Sequence, residues 1–181
     1  FFCDDDYRAY LELLSDGKDD AQVSIWAYCL MPNHVHIVTV PCREDGLSQL
    51  YRMVHRQYSR RINFREKWKG HLWQERFHSF VMDERHLLAA VRYVELNPVR
   101  ARLCHRAEDW PWSSARAHLI GRDDAIVSVQ PMLDRVANWR RYLAEGCSEH
   151  ELDGIRQCTT TGRPGGTTEF LEKLEALTGR E

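Results

Sequence analysis

The sequence predicts an α+β fold, a ferredoxin-like antiparallel sheet with helices packed on it, followed by a mostly helical C-terminal extension. Three observations carry this. Two runs of β-forming residues flank a Pro-Asn corner at 32–33, the pattern of an antiparallel hairpin. Long amphipathic stretches stand on either side of a further β-rich run. The resulting order is helix, strand, strand, helix, strand, helix. With one more strand supplied before residue 1, that order completes a ferredoxin-like sandwich with its helices on one face.

The first helix is expected over 4–16, where "DDDYRAYLELLSD" begins with aspartates suited to a helix N-terminus. It spaces Tyr7, Tyr10, Leu11 and Leu14 on one side. "QVSIWAYCLM" (22–31) and "HVHIVTV" (34–40) are the hairpin strands. Residues 45–67 form a long helix with Leu47, Leu50, Val54, Tyr58 and Ile62 on its apolar stripe. On another stripe Arg52, Arg56 and Arg60 recur every fourth residue. "HLWQERFHSFVM" (71–82) reads as a third strand, bent or itself part of a hairpin. The helix over 83–101 opens with an acidic turn and should finish at Asn97, because Pro98 disfavours helical geometry before it. "WPWSSARAHL" (110–119) reads as a short helix bringing two tryptophans to the body. A boundary near 120 separates the 1–120 domain from a 121–181 extension, with helices over 133–146 and 168–179 and a Gly/Thr/Pro loop at 159–170.

A chain of 181 residues, 43% hydrophobic and 29% charged, has the size and composition of one soluble domain with an appendage. No apolar run approaches the ~18–20 residues of a membrane span, and no signal peptide opens the sequence, so a cytoplasmic location is expected. Six scattered cysteines without a C-x-x-C pair argue for reduced thiols, against a disulfide scaffold or a thiolate zinc site. The net charge of −2 conceals an asymmetry: residues 1–20 carry −5, 121–181 carry −3, and 21–120 carry +6. A basic middle within an acidic chain points to a polyanionic partner.

The residues that carry chemistry begin with "HVH". Side chains two apart on a strand share a face, so His34 and His36 project together while Val35 and Ile37 turn away. Two neutral imidazoles so placed make half of a divalent-metal site, although a surface pair or a satisfied core pair fits H-x-H equally well. On the 83–101 helix, Tyr93 and Asn97 are four apart and share a face. Alone, Tyr93 reads as a core aromatic and Asn97 as a helix cap. Beside the two histidines they would form a tyrosine nucleophile next to a third, carboxamide ligand.

"WAYCLMPNHVHIVTVP", "GHLWQERFHSF", "RYVELNPVRARL" and "WPWSSARAHL", in this order and spacing, resemble the REP-associated tyrosine transposases. These belong to the single-tyrosine HUH class, in which U is hydrophobic. The resemblance covers most of 1–120 and extends to "TGRPGGTTEFLEKLEALTGR". It implies the HUH nuclease fold, a catalytic domain at 1–120, a catalytic Tyr93, and a metal held by His34, His36 and Asn97. In one respect the sequence departs from the pattern: the family's usual first strand does not precede 1–14.

The implied chemistry is transesterification on single-stranded DNA bearing a small palindromic hairpin. A phenol, with a pKa near ~10, is a poor nucleophile at pH 7 unless its proton is removed or its charge stabilised. A divalent ion, Mg²⁺ or Mn²⁺, would polarise and orient the phosphate, and a 5′-phosphotyrosine with a free 3′-OH would result. Arg52, Arg56, Arg60, Arg61, Arg65, Lys67 and Lys69 form a basic face against the lone Glu66, interspersed with His55, Phe64 and Trp68. Arg76, Arg92, Arg100 and Arg102 are expected to add positive charge near the proposed site. Rival readings are a related HUH relaxase or replication initiator, a non-catalytic nucleic-acid-binding module, and a zinc hydrolase. The last leaves Tyr93 idle and lacks an H-E-x-x-H helix. A monomer and a homodimer both suit the sequence.

Overall fold

The computed structural model describes residues 1–179. Helix α1 (Asp4–Lys18) places Asp4, Asp5 and Asp6 in its first turn, where carboxylates offset the positive end of the helix dipole. It buries Tyr7, Tyr10 and Leu14. Strands β1 (Val23–Leu30) and β2 (Val35–Pro41) pair antiparallel, with Leu30 opposite Val35 and Cys29 opposite His36. An irregularity between Ile25 and Ala27 shifts the register. Across it the alternation changes phase: Val23, Ile25, Tyr28 and Leu30 enter one core, while Ala27 and Cys29 enter the other.

Helix α2 (Gly46–Glu66) lies with α1 against the first of these faces through Leu50, Val54, Tyr58 and Ile62. Gly46 starts it where only glycine fits, since a Cβ there would stand 2.8 Å from the Ala21 carbonyl oxygen. Helix α3 (Glu84–Arg100) covers the opposite face through Val91 and Val94. The helices therefore sandwich the sheet from both sides rather than sharing one face. The α+β class with an antiparallel hairpin at its centre is as expected from the sequence.

Two elements differ from expectation. Residues 71–82 form no strand among the described residues; Met82 alone makes a bridge, to Gly165. The β-formers there serve another purpose. Trp73 stacks on His55 with ring centroids 4.3 Å apart, and Phe77 meets Tyr51 at 4.8 Å, so both rings plug the α1–α2 core instead of alternating along a sheet edge. The sheet is accordingly two-stranded. The second difference is α3, which runs through Pro98 to Arg100. Proline removes the N–H that would reach the Val94 carbonyl. The Arg100 guanidinium donates to the neighbouring Tyr93 carbonyl at 2.9 Å, adding a donor beside the break.

The chain beyond α3 closes the structure. A short 3₁₀ turn (Ala107–Asp109) and α4 (Ala115–Ile120) follow, so the helix expected over 110–119 is confined to its second half. The free edge of β1 is covered by irregular chain: Leu30 N–H donates to the Trp112 carbonyl and Ser128 N–H to that of Ile25. Ile126, Val127 and Val129 join the α1–α2 core. Helices α5 (Gln130–Leu133) and α6 (Trp139–Ala144) break the single helix expected over 133–146, and Met132, Trp139 and Leu143 join the α3 core. The first part of the expected 121–181 extension thus adds to the cores of 1–120. Helix α7 (Glu149–Thr161), opened by a Ser148–Glu151 capping box, takes up part of the expected loop. Helix α8 (Thr168–Thr178) is capped by Thr167 and Gly179, and residues 180–181 lie outside the described residues.

Candidate active site

The hairpin and α3 bring together three of the sequence-predicted residues. His34 sits in the turn one residue before β2, its carbonyl accepting from Met31 N–H at 2.9 Å, and His36 is the second residue of β2. Their rings stand 4.8 Å apart, nearly perpendicular at 82°. His36 shares the side of its partner Cys29, toward α3, and there its ring meets that of Tyr93 at 5.6 Å and 83°. Val35 and Ile37 pack on the α1–α2 side.

The surroundings keep the imidazoles neutral. Burial, and then the neighbouring His34 and Arg100 charges, push His36 down to about 4. Burial also pushes His34 below the ordinary histidine value. At pH 7 both offer lone pairs rather than charge. Asn33 Oδ1 lies 2.7 Å from His34 Nδ1, so an Nδ1–H tautomer donates there and leaves Nε2 as the acceptor.

On α3, Asn97 follows Tyr93 by one turn and is buried, and its Nδ2 has no hydrogen-bond partner. Carboxamide oxygen and nitrogen exchange by a flip, so an unpaired oxygen is as accessible there as an unpaired nitrogen. Among the described residues no group of three or more His, Cys, Asp or Glu is arranged to hold a metal. A metal site on His34 and His36 would draw any further protein ligand from another kind of donor, of which the Asn97 carboxamide is one. Two neutral imidazoles and an unpaired carboxamide are donors that suit a divalent cation.

The basic residues divide. Arg100 belongs to this cluster, its guanidinium 4.0 Å above the Tyr93 ring. Arg52, Arg56, Arg60 and Arg61 are exposed along α2, and Lys67 and Lys69 follow it, all on the other side of the sheet from Tyr93. Arg76 is exposed on the loop beyond. Arg65 is not free to join them. It forms a two-pronged ion pair with Asp6, whose side chain is fully buried, and also bonds Glu66. Arg92 does not face the cluster as expected: it pairs with Glu145 and Glu151 and lies over Tyr142, clamping α3 to α6 and α7.

One buried group escaped the sequence reading. Glu95, between Tyr93 and Asn97 on the back of α3, is fully buried. Its Oε1 accepts from Ser114 Oγ and is bonded to His118 Nδ1, both at 2.6 Å, while its Oε2 accepts from Trp139 Nε1 at 2.8 Å. Three side chains from two separate segments, Ser114 and His118 of α4 with its cap and Trp139 of α6, thereby fix the rotation of the helix that carries Tyr93. A lone carboxylate between Val94 and Leu96 on an apolar helix was the available signal.

Residues 1–97 match the protein-family model described as Transposase IS200 like. A REP-associated tyrosine transposase of Escherichia coli (strain K12) is 28% identical over 109 residues, covering 60% of this chain and 64% of that relative. The chain thus spans somewhat under two thirds of the length of the curated relative it matches. No solved structure matches it.

Proposed function

The chain belongs to the IS200-like transposase family, and from that premise we propose that it is a metal-dependent single-stranded DNA endonuclease and strand transferase acting on hairpin-forming repeat DNA. The observation that carries this reading is the convergence of His34, His36 and Tyr93: two neutral imidazoles, one of them edge to face with the only tyrosine on α3. A core aromatic needs no such neighbours.

His34, His36 and Asn97 would hold the divalent ion, Mg²⁺ or Mn²⁺. When bound, it neutralises the phosphate oxygens and raises the electrophilicity of phosphorus. The Tyr93 oxygen attacks that phosphorus. A Tyr93 O–P bond forms, the bond to the 3′ oxygen breaks, the phenolic proton departs, and the leaving oxygen is protonated as a free 3′-OH. The 5′-phosphotyrosine retains the energy of the ester, so a second 3′-OH reverses the step and joins strands without ATP. Arg100, bonded to the Tyr93 carbonyl and stacked on its ring, holds the side chain in place and puts a positive charge beside the incoming phosphate. The exposed arginines of α2 supply sequence-independent affinity for the strand.

The test is incubation of the chain with a labelled single-stranded hairpin library in Mg²⁺ or Mn²⁺, followed by peptide mapping of the adduct and sequencing of the attached ends. The reading expects an adduct on Tyr93 carrying a 5′ end. Metal-independent cleavage, or an adduct on another residue, would overturn it.

A further inference from the structure

Away from the histidine–tyrosine cluster, α2 and the loop after it enclose an open cleft of about 600 Å³. Arg56 and Arg60, one helical turn apart, line it from α2, and Arg76 lines it from the loop. All three are exposed and make no ion pair among the described residues. Glu75, the carboxylate among the lining residues, lies 3.1 Å from His78 Nε2. The aromatic part of the lining is the stacked pair of His55 and Trp73, 4.3 Å apart and 24° from parallel. Burial pushes His55 down to about 4, and its Nε2 is bonded to Tyr10 Oη at 3.1 Å, so the ring is an uncharged platform at pH 7. Trp73 Nε1 is buried without a partner.

The loop is held in this shape rather than left to drift. Lys67 ends α2 in the left-handed region at φ 57, and Gly70 adopts φ +102, a conformation that favours glycine. Asn63 Nδ2 donates to the Gly70 carbonyl at 2.9 Å, and Leu72, Trp73 and Phe77 anchor the loop in the α1–α2 core. Three unneutralised guanidinium groups around aromatic faces are the recognition chemistry of a phosphate joined to a base. An apolar ligand would leave the arginines unused, and a bare anion would leave the aromatic pair unused.

We propose that this cleft is a recognition subsite for one unpaired nucleotide of single-stranded DNA, its phosphates on Arg56, Arg60 and Arg76 and its base against the His55–Trp73 pair. The proposal rests on the single-stranded DNA reading above and sharpens it. The cleft lies on the α1–α2 side of the sheet, whereas Tyr93 and His36 lie on the α3 side. The strand is therefore gripped on one face and cut on the other, and has to pass around the hairpin between them.

The experiment uses the full chain and a fluorescein-labelled hairpin oligonucleotide with a single-stranded flank. Binding is read by anisotropy across a salt series, and adduct formation is scored in the same wild-type samples. Arg56, Arg60 and Arg76 are exposed, so the triple Arg→Gln variant should fold, as its circular dichroism can check. It should bind at least tenfold more weakly and lose about 2 from the slope of log K against log salt, at roughly 0.7 per contact. Scanning abasic sites along the flank should find one position whose lost base weakens wild type severalfold but hardly affects Trp73→Phe. Bromodeoxyuridine at that position should crosslink to a peptide within residues 55–76. An unchanged affinity and salt slope in the triple variant, with crosslinks elsewhere, would overturn the subsite; Tyr93 adducts in wild type would then leave the chemistry standing. Failure of wild type both to bind and to form an adduct would remove both.

Discussion

His36 and Tyr93 meet edge to face across the gap between β2 and α3, ring centroids 5.6 Å apart and planes at 83°. This contact joins the strand that carries one half of the candidate site to the helix that carries the other. Its energy as an aromatic pair is small, on the order of 0.5–1.5 kcal/mol. Its consequence lies in position: a ligand held by His36 would stand beside the Tyr93 ring.

Replacing His34 or His36 by alanine should abolish adduct formation while leaving single-stranded DNA affinity within about twofold, because phosphate contacts on the basic face supply the binding. His36→Ala also loses the ring contact, so its melt should fall modestly and that of His34→Ala hardly at all. A cleavage assay in saturating Mn²⁺, run beside anisotropy and a thermal melt, reads all three. Near-wild-type cleavage by either variant would remove the metal assignment.

Glu95 should behave as a structural anchor. Glu95→Ala leaves Ser114, His118 and Trp139 buried without their shared partner and should cost about 3–5 kcal/mol, as expected for stranding several buried polar groups at once. Trp139→Phe removes one donor to the carboxylate and should cost about 1–3 kcal/mol. Urea denaturation gives both numbers. If Glu95→Ala unfolds at the wild-type midpoint, the three bonds do not hold α3 in place.

Arg65 should matter for folding before it matters for DNA. Burial alone would raise the Asp6 carboxyl, but hydrogen bonds from Arg65 and from the Phe2 backbone N–H, with the Arg65 charge, hold it below the usual range. A carboxylate depressed in the folded state stabilises fully above its unfolded value near ~4 and loses that contribution as pH falls through the folded value. Arg65→Met should therefore lower the stability at pH 7, with the gap to wild type narrowing below pH 4. Stability curves at pH 7 and pH 3.5 decide it; a gap independent of pH would place the effect in packing rather than in the ion pair.

What was legible in the sequence is what depends on near neighbours. The i, i+2 histidines, the four-residue arginine repeat and the Tyr93–Asn97 turn are local periodicities, and each lands on the element it implies, save that His34 stands one residue before β2. Partners distant in sequence were not legible. Asp6 meets Arg65 across 59 residues, and Glu95 finds Trp139 across 44, so neither commitment leaves a local trace. Residues 71–82 misled because the aromatic residues that favour strands also fill cores. Trp73 and Phe77 are used in the second way. Pro98 misled because a side chain two residues on, that of Arg100 reaching back seven residues to the Tyr93 carbonyl, supports the turn that proline weakens.

The central claim is that Tyr93 is the nucleophile, and the most direct measurement is denaturing-gel detection of the protein–DNA adduct in wild type and Tyr93→Phe across a Mn²⁺ titration. Phenylalanine keeps the ring against His36 and beneath Arg100 and removes the hydroxyl alone, so packing and the thermal melt should be unchanged. The account predicts a metal-dependent adduct in wild type, none in Tyr93→Phe at any metal concentration, and full retention of hairpin binding by the variant. An adduct persisting in Tyr93→Phe would contradict it.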